Sequence, residues 1–95
     1  MDELLIRADD DHVQRERRKA KELKRSSWWI NRIGEGRCYW CGERFHPKEL
    51  TMDHVTPLIR GGTTSRANCV PACATCNRDK ENLTGQQWRA KREND

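Results

Sequence analysis

Two Cys-x-x-Cys pairs, Cys38/Cys41 and Cys73/Cys76, bracket the run Asp53-His54-Val55-Thr56-Pro57. Each pair places two thiolates on one tight turn, and two such turns supply the four sulfurs of a tetrahedral zinc site. The 31 residues between the pairs exceed what a minimal zinc ribbon needs. They hold Asp53, His54 and Asn68, and Asn77 follows Cys76 directly. A carboxylate and a carboxamide, Asp53 and Asn77, offer oxygen ligands that suit a hard hydrated ion such as Mg²⁺ or Mn²⁺. A histidine beside such an ion can take a proton from water, because its ordinary pKa is about 6.5. Metal and base together are the means of phosphodiester hydrolysis. Taken singly these residues say little, since Asn68 alone reads as a turn residue and Asn77 alone as helix surface.

The elements that must position this set are small. The chain has 95 residues, 34% hydrophobic and 36% charged, so it cannot bury a large apolar core and needs a staple. A structural zinc can provide one, with roughly 10–16 kcal/mol of apparent binding free energy in small zinc peptides. Two disulfides are the competing use of four cysteines. The acidic opening Met1-Asp2-Glu3 and the short Leu4-Leu5-Ile6 run do not read as a signal peptide, and no apolar run is long enough to cross a membrane. Zinc and a cytoplasmic setting are therefore expected. The fifth cysteine, Cys69 beside Val70, reads as a small buried apolar residue.

Asp9-Asp10-Asp11 marks a helix start, with Asp11 as the expected cap, and a helix is expected over 12–30. Its apolar stripe, Val13, Ala20, Leu23 and Ile30, is thin, so most of it should be wet and only the end near Trp28 and Trp29 should dock. For the tryptophan pair, packing on the zinc module competes with base stacking. Residues 14–25 carry seven basic side chains against Glu16 and Glu22, a net +5 in a chain of net +4. Such a stretch fits a polyanion, usually nucleic acid, or else a solvated helix face with internal ion pairs. A strand is expected over 49–54, with Leu50, Met52 and His54 on one face and Thr51 and Asp53 on the other. A loop over 60–65, a short strand over 68–70, a helix opened by Cys73 and a last helix capped by Thr84-x-x-Gln87 follow.

The ordered set Asp53-His54-Val55-x-Pro57-Leu58-x-x-Gly61-Gly62, then Asn68-x-Val70-Pro71-x-Cys73-x-x-Cys76-Asn77, resembles the HNH endonuclease family over about residues 37–83. With Asn77 at the third position it is the HNN form of that signature. The resemblance implies an α+β, zinc-stapled ββα-metal fold, here with a basic helical arm over 1–33, a core over 34–83 and a C-terminal helix over 84–95. It implies that His54 is the general base, that Asp53 and Asn77 hold one catalytic Mg²⁺ or Mn²⁺, and that Asn68 bonds across the loop to orient His54. The zinc on Cys38, Cys41, Cys73 and Cys76 would be structural. Arg60, Arg78 and Lys80 are candidate phosphate contacts, each also readable as solvated surface; His12 and His46 fall outside the motif. The implied activity is metal-dependent nicking of DNA, in the main double-stranded, by a monomer of low intrinsic sequence specificity. The basic arm would add affinity and leave cleavage at saturating protein unchanged. The implied setting is prokaryotic or phage, with a larger phage, restriction or mobile-element complex as the implied partner. The rival reading is a non-catalytic zinc module that binds nucleic acid or protein, and it has no use for Asp53, His54 and Asn77 together. A redox use of the Cys-x-x-Cys pairs lacks the βαβ context such motifs normally occupy.

Overall fold

A computed structural model describes residues 7–94; the acidic opening and the Leu4-Leu5-Ile6 run lie outside the described residues. Helix α1, Asp10–Lys24, is capped by Asp9, whose carboxylate accepts from the His12 amide. The cap lies two residues before the expected Asp11, which sits inside the helix. The single helix expected over 12–30 is in fact two. Ser26 ends the first and starts the second: its hydroxyl donates to the Leu23 carbonyl at 2.6 Å and accepts from the Trp29 amide at 3.2 Å. A serine hydroxyl that satisfies backbone groups on both sides competes with the helical ladder and breaks it. Helix α2 spans Ser27–Gly34.

The first Cys-x-x-Cys turn follows, closed by the Gly42 amide on the Cys38 carbonyl at 2.9 Å. Pro47–Glu49 is a 3-10 turn, in which His46 Nδ1 accepts from Lys48 N and Glu49 accepts from His46 N. That turn delays the strand, so β1 is Thr51–His54. It pairs antiparallel with β2, Cys69–Ala72, in the register Thr51↔Ala72 to His54↔Cys69. Helix α3, Ala74–Lys80, is capped by Cys73, and α4, Gly85–Glu93, opens with the expected capping box of Thr84 and Gln87. The order is α+β: a two-strand antiparallel hairpin followed by a helix, flanked by further helices.

The core is built around the sulfurs. Cys38, Cys73 and Cys76 pack with Trp40, Leu50, Val70, Ala72 and Trp88. Ile33 from α2 and Leu83 close over them. Few aliphatic side chains take part, as the composition requires. Cys69 is fully buried on the hairpin and takes no place among the four clustered sulfurs.

Most of the long helix is exposed, as expected, but it docks along its length and not only at the end near Trp28 and Trp29. Glu16 and Ala20 are buried on α1, with Glu16 only 3% exposed. The helix lies on the loop between β1 and β2, where His12 Nε2 meets the Gly62 carbonyl at 2.8 Å. Glycine is required at 62, since a Cβ there would sit 1.8 Å from the Thr56 carbonyl oxygen.

Candidate active site and metal centre

The four Sγ atoms of Cys38, Cys41, Cys73 and Cys76 lie within 4.8 Å of one another, and all five cysteines are free thiols. Tetrahedral zinc with bonds of about 2.3 Å needs sulfurs roughly 3.8 Å apart, so the cluster is close to that geometry. Its electrostatics also fit a cation. Burial would raise the Cys38 thiol, but amides of Cys41, Cys73 and Trp40 bond to its sulfur and bring it to about 7. Burial raises Cys41 and Cys76, and the neighbouring Cys38 sulfur adds to it in both. Four packed sulfurs cannot all ionise without a positive partner, and a zinc ion is the partner this donor set suits.

A separate cleft of about 460 Å³ is bordered by Asp53, His54 and Asn77, with Gln14 and Arg17 of α1 on its other side. The hairpin and α3 position the first three. His54 ends β1 and is part-buried; burial lowers its pKa from the ordinary 6.5, against the opposing pull of the Asp53 carboxylate. A neutral imidazole is thereby favoured at neutral pH. Its Nε2 lies 3.0 Å from the Thr64 hydroxyl.

Asp53 precedes His54 on β1 and borders the same cleft. It is 7% exposed. Its Oδ2 accepts from Trp40 Nε1 at 2.8 Å, and the Lys80 ammonium lies 3.4 Å from both carboxylate oxygens. Asn77 donates Nδ2 to the Thr51 hydroxyl at 2.8 Å, and among the described residues no donor bonds its Oδ1. The donor set for a hard ion is thus Asn77 Oδ1 together with the lone pairs that Asp53 keeps beyond its two partners. This fits an ion that takes much of its shell from water and a substrate phosphate.

Asn68 staples the loop. Its Oδ1 accepts from Thr56 N at 2.8 Å, and its Nδ2 donates to the carbonyls of Thr56 and Thr63 at 3.0 and 2.7 Å. The loop so held carries Thr64.

The three cationic candidates have different fates. Lys80 cannot meet a DNA phosphate: its side chain is wholly buried, and its ammonium bonds the His54 carbonyl at 3.0 Å as well as Asp53. Burial lowers its pKa while Asp53 opposes the change. That expectation is corrected, and the physical reason is the one-residue difference in helical phase between Lys80 and the exposed Asp79. Arg78 is exposed, pairs with Asp79 and does not border the cleft. Arg60 is half-buried and bonds the Gln87 side chain at 3.2 Å, which ties the loop to α4.

Sequence reading missed Glu16, Thr64 and Trp40. Glu16 had a signal: Val13, Glu16, Ala20 and Leu23 follow the i, i+3, i+7 spacing of a docking stripe, with a carboxylate in the place of an apolar residue.

Residues 38–83 match the HNH endonuclease family. The chain carries an HNH endonuclease domain. The hairpin, the following helix and the four-cysteine cluster agree with that fold. Membership of this family implies a nuclease, a phosphodiester hydrolase acting on nucleic acid. The HNH match begins at Cys38 and ends at Leu83, so α1, α2 and α4 lie outside it. No curated protein matches the chain. Among the described residues no helix is long and apolar enough to cross a membrane.

Proposed function

We propose that this HNH domain is a DNA endonuclease that nicks one strand per active site, with His54 as general base. The observation that carries the proposal is the common cleft of His54, Asp53 and Asn77, formed within the segment that matches the family. Asp53 and Asn77 would hold a Mg²⁺ or Mn²⁺ ion, which when bound supplies charge stabilisation at the phosphate and the leaving oxygen. Zinc would stay at the cysteines and take no part in the chemistry.

The residues divide the remaining work. His54, kept neutral by burial, accepts a proton from water as the water attacks phosphorus. The bond from phosphorus to the 3′ oxygen breaks and that oxygen takes a proton from solvent water, giving 5′-phosphate and 3′-hydroxyl ends. Asn68 holds the loop so that the imidazole faces the cleft. Arg17, exposed at the rim on α1, is placed to meet a flanking phosphate. Such contacts bring affinity without sequence information, which accords with low intrinsic specificity. Double-stranded DNA is the proposed substrate and a monomer the proposed acting unit.

Supercoiled plasmid incubated with zinc-loaded protein and Mg²⁺ or Mn²⁺ tests this. One base and one ion per chain predict open circles first and linear DNA late. Direct conversion to linear DNA at limiting protein would refute single-strand action. A protein inert on every DNA form with both ions would leave a zinc module that binds without cutting.

A further inference from the structure

We propose that α1 is part of the catalytic apparatus: through Glu16 it fixes Thr64, and Thr64 holds the His54 ring in one tautomer with Nδ1 free for the cleft. The inference rests on the reading of His54 as the base, and it assigns roles to residues outside the HNH match and to a loop threonine within it.

Two bonds join Glu16 to Thr64. The Thr64 amide donates to Glu16 Oε1 at 2.6 Å, and the Thr64 hydroxyl donates to the Glu16 backbone carbonyl at 2.8 Å. Glu16 is 3% exposed, and its second oxygen pairs with Lys19 at 3.0 Å. The carboxylate therefore enters the interface with both oxygens engaged, as a buried charge must. A second tie, from His12 to the Gly62 carbonyl, seats the same helix on the same loop.

The direction of the third bond follows from the count of hydrogens. A threonine hydroxyl has one hydrogen, and a backbone carbonyl can only accept. The hydrogen on Thr64 Oγ1 is thus committed to Glu16. Toward His54 Nε2, 3.0 Å away, the hydroxyl oxygen can only accept. Nε2 must carry the proton, and in a neutral ring Nδ1 then holds the free lone pair. Among the described residues no group bonds Nδ1, so it remains open to a water. Without α1 the hydroxyl could turn and donate to Nε2, which would place the proton on Nδ1 and leave no base toward the cleft. Glu16 and Thr64 are positioning residues in this account. They act through His54 and touch no substrate.

Long-range ¹H–¹⁵N spectra of the full-length zinc-loaded protein, recorded where the ring is neutral, read the tautomer directly. Wild type should show His54 protonated on Nε2. Thr64→Val should give a mixture of tautomers, and Thr64→Ser should restore the single form. In plasmid nicking, Thr64→Val should lower kcat roughly 10–100-fold, the range found when a metal-bound histidine loses its hydrogen-bonding partner. KM for DNA should change little, and Thr64→Ser should recover most of the rate. Glu16→Ala should move both readouts in the same direction as Thr64→Val. A wild-type His54 protonated on Nδ1 overturns the proposal and needs no variant to show it. So does a Thr64→Val protein with unchanged tautomer and kcat. Should His54→Ala cut as fast as wild type, the base assignment falls, while the spectrum still decides whether Thr64 holds the ring.

Discussion

Asp53→Ala should damage the fold as well as the proposed ion site. The Lys80 side chain is wholly buried, and Asp53 is the acidic partner the structure gives it. Removing Asp53 leaves an ammonium inside the protein with one remaining hydrogen-bond acceptor, the His54 carbonyl, and the face of the Trp40 ring. Breaking a buried pair on one side costs about 3–5 kcal/mol. The Trp40 indole N–H loses its acceptor as well, a further penalty of about 1–3 kcal/mol that overlaps with the first. For a domain of ordinary stability, about 5–15 kcal/mol, this is a large fraction. Asp53→Asn keeps an oxygen for Trp40 and should cost less. Lys80→Met, which strands the carboxylate, should also destabilise. The Asp53→Leu/Lys80→Met pair removes both charges and should fall well short of the sum of the single changes, with a coupling of about 1–3 kcal/mol. Urea denaturation in excess zinc, followed by tryptophan fluorescence, measures all of these. Asp53→Ala within about 1 kcal/mol of wild type would refute the view that Asp53 neutralises Lys80. Restoration of Asp53→Ala cleavage by added Mn²⁺ can therefore be partial at most, even in folded protein.

Elemental analysis after extensive dialysis should give close to one zinc per chain. Single Cys→Ser changes at Cys38, Cys41, Cys73 or Cys76 should abolish the cooperative fold, while Cys69→Ser should be milder. Hydrogen bonds from the Thr64 amide, then Lys19, hold the Glu16 carboxyl below its ordinary 4.5. Its contribution to stability is thus fully present above pH 4.5 and is lost as pH falls through the depressed value. A ¹³C titration of the Glu16 carboxyl with its midpoint at or above 4.5 would contradict this. Glu81, at φ 51° and ψ −127°, holds a backbone conformation that costs a non-glycine residue about 1–3 kcal/mol. Glu81→Gly should raise stability by about 1 kcal/mol after glycine's extra chain entropy is counted, and an unchanged or lower urea midpoint would show that no strain is stored there.

The sequence made legible what depends on local chemistry. The four cysteines, the Thr84–Gln87 capping box and the order of strand, loop, strand and helix are set by neighbours in the chain. The break at Ser26 was hidden because nothing local says which carbonyl a serine hydroxyl will choose. The inward turn of Lys80 and the burial of Glu16 depend on contacts 26 to 48 residues away. A charged side chain reads as surface until its partner is known, and here each partner lies on another element. The same long-range packing joins α1 to the loop, so the helix is not a free arm.

The central claim is that His54 is the base of a DNA-cutting site. The most direct measurement compares plasmid nicking by wild type and His54→Ala under saturating Mg²⁺ or Mn²⁺, with zinc content and DNA binding checked in parallel. The change removes the proton acceptor and leaves the cysteines, Asp53 and Asn77 in place. The variant should keep its zinc and its DNA affinity, and lose roughly 10²–10⁴-fold in cleavage rate. Nicking by His54→Ala at the wild-type rate would contradict the account.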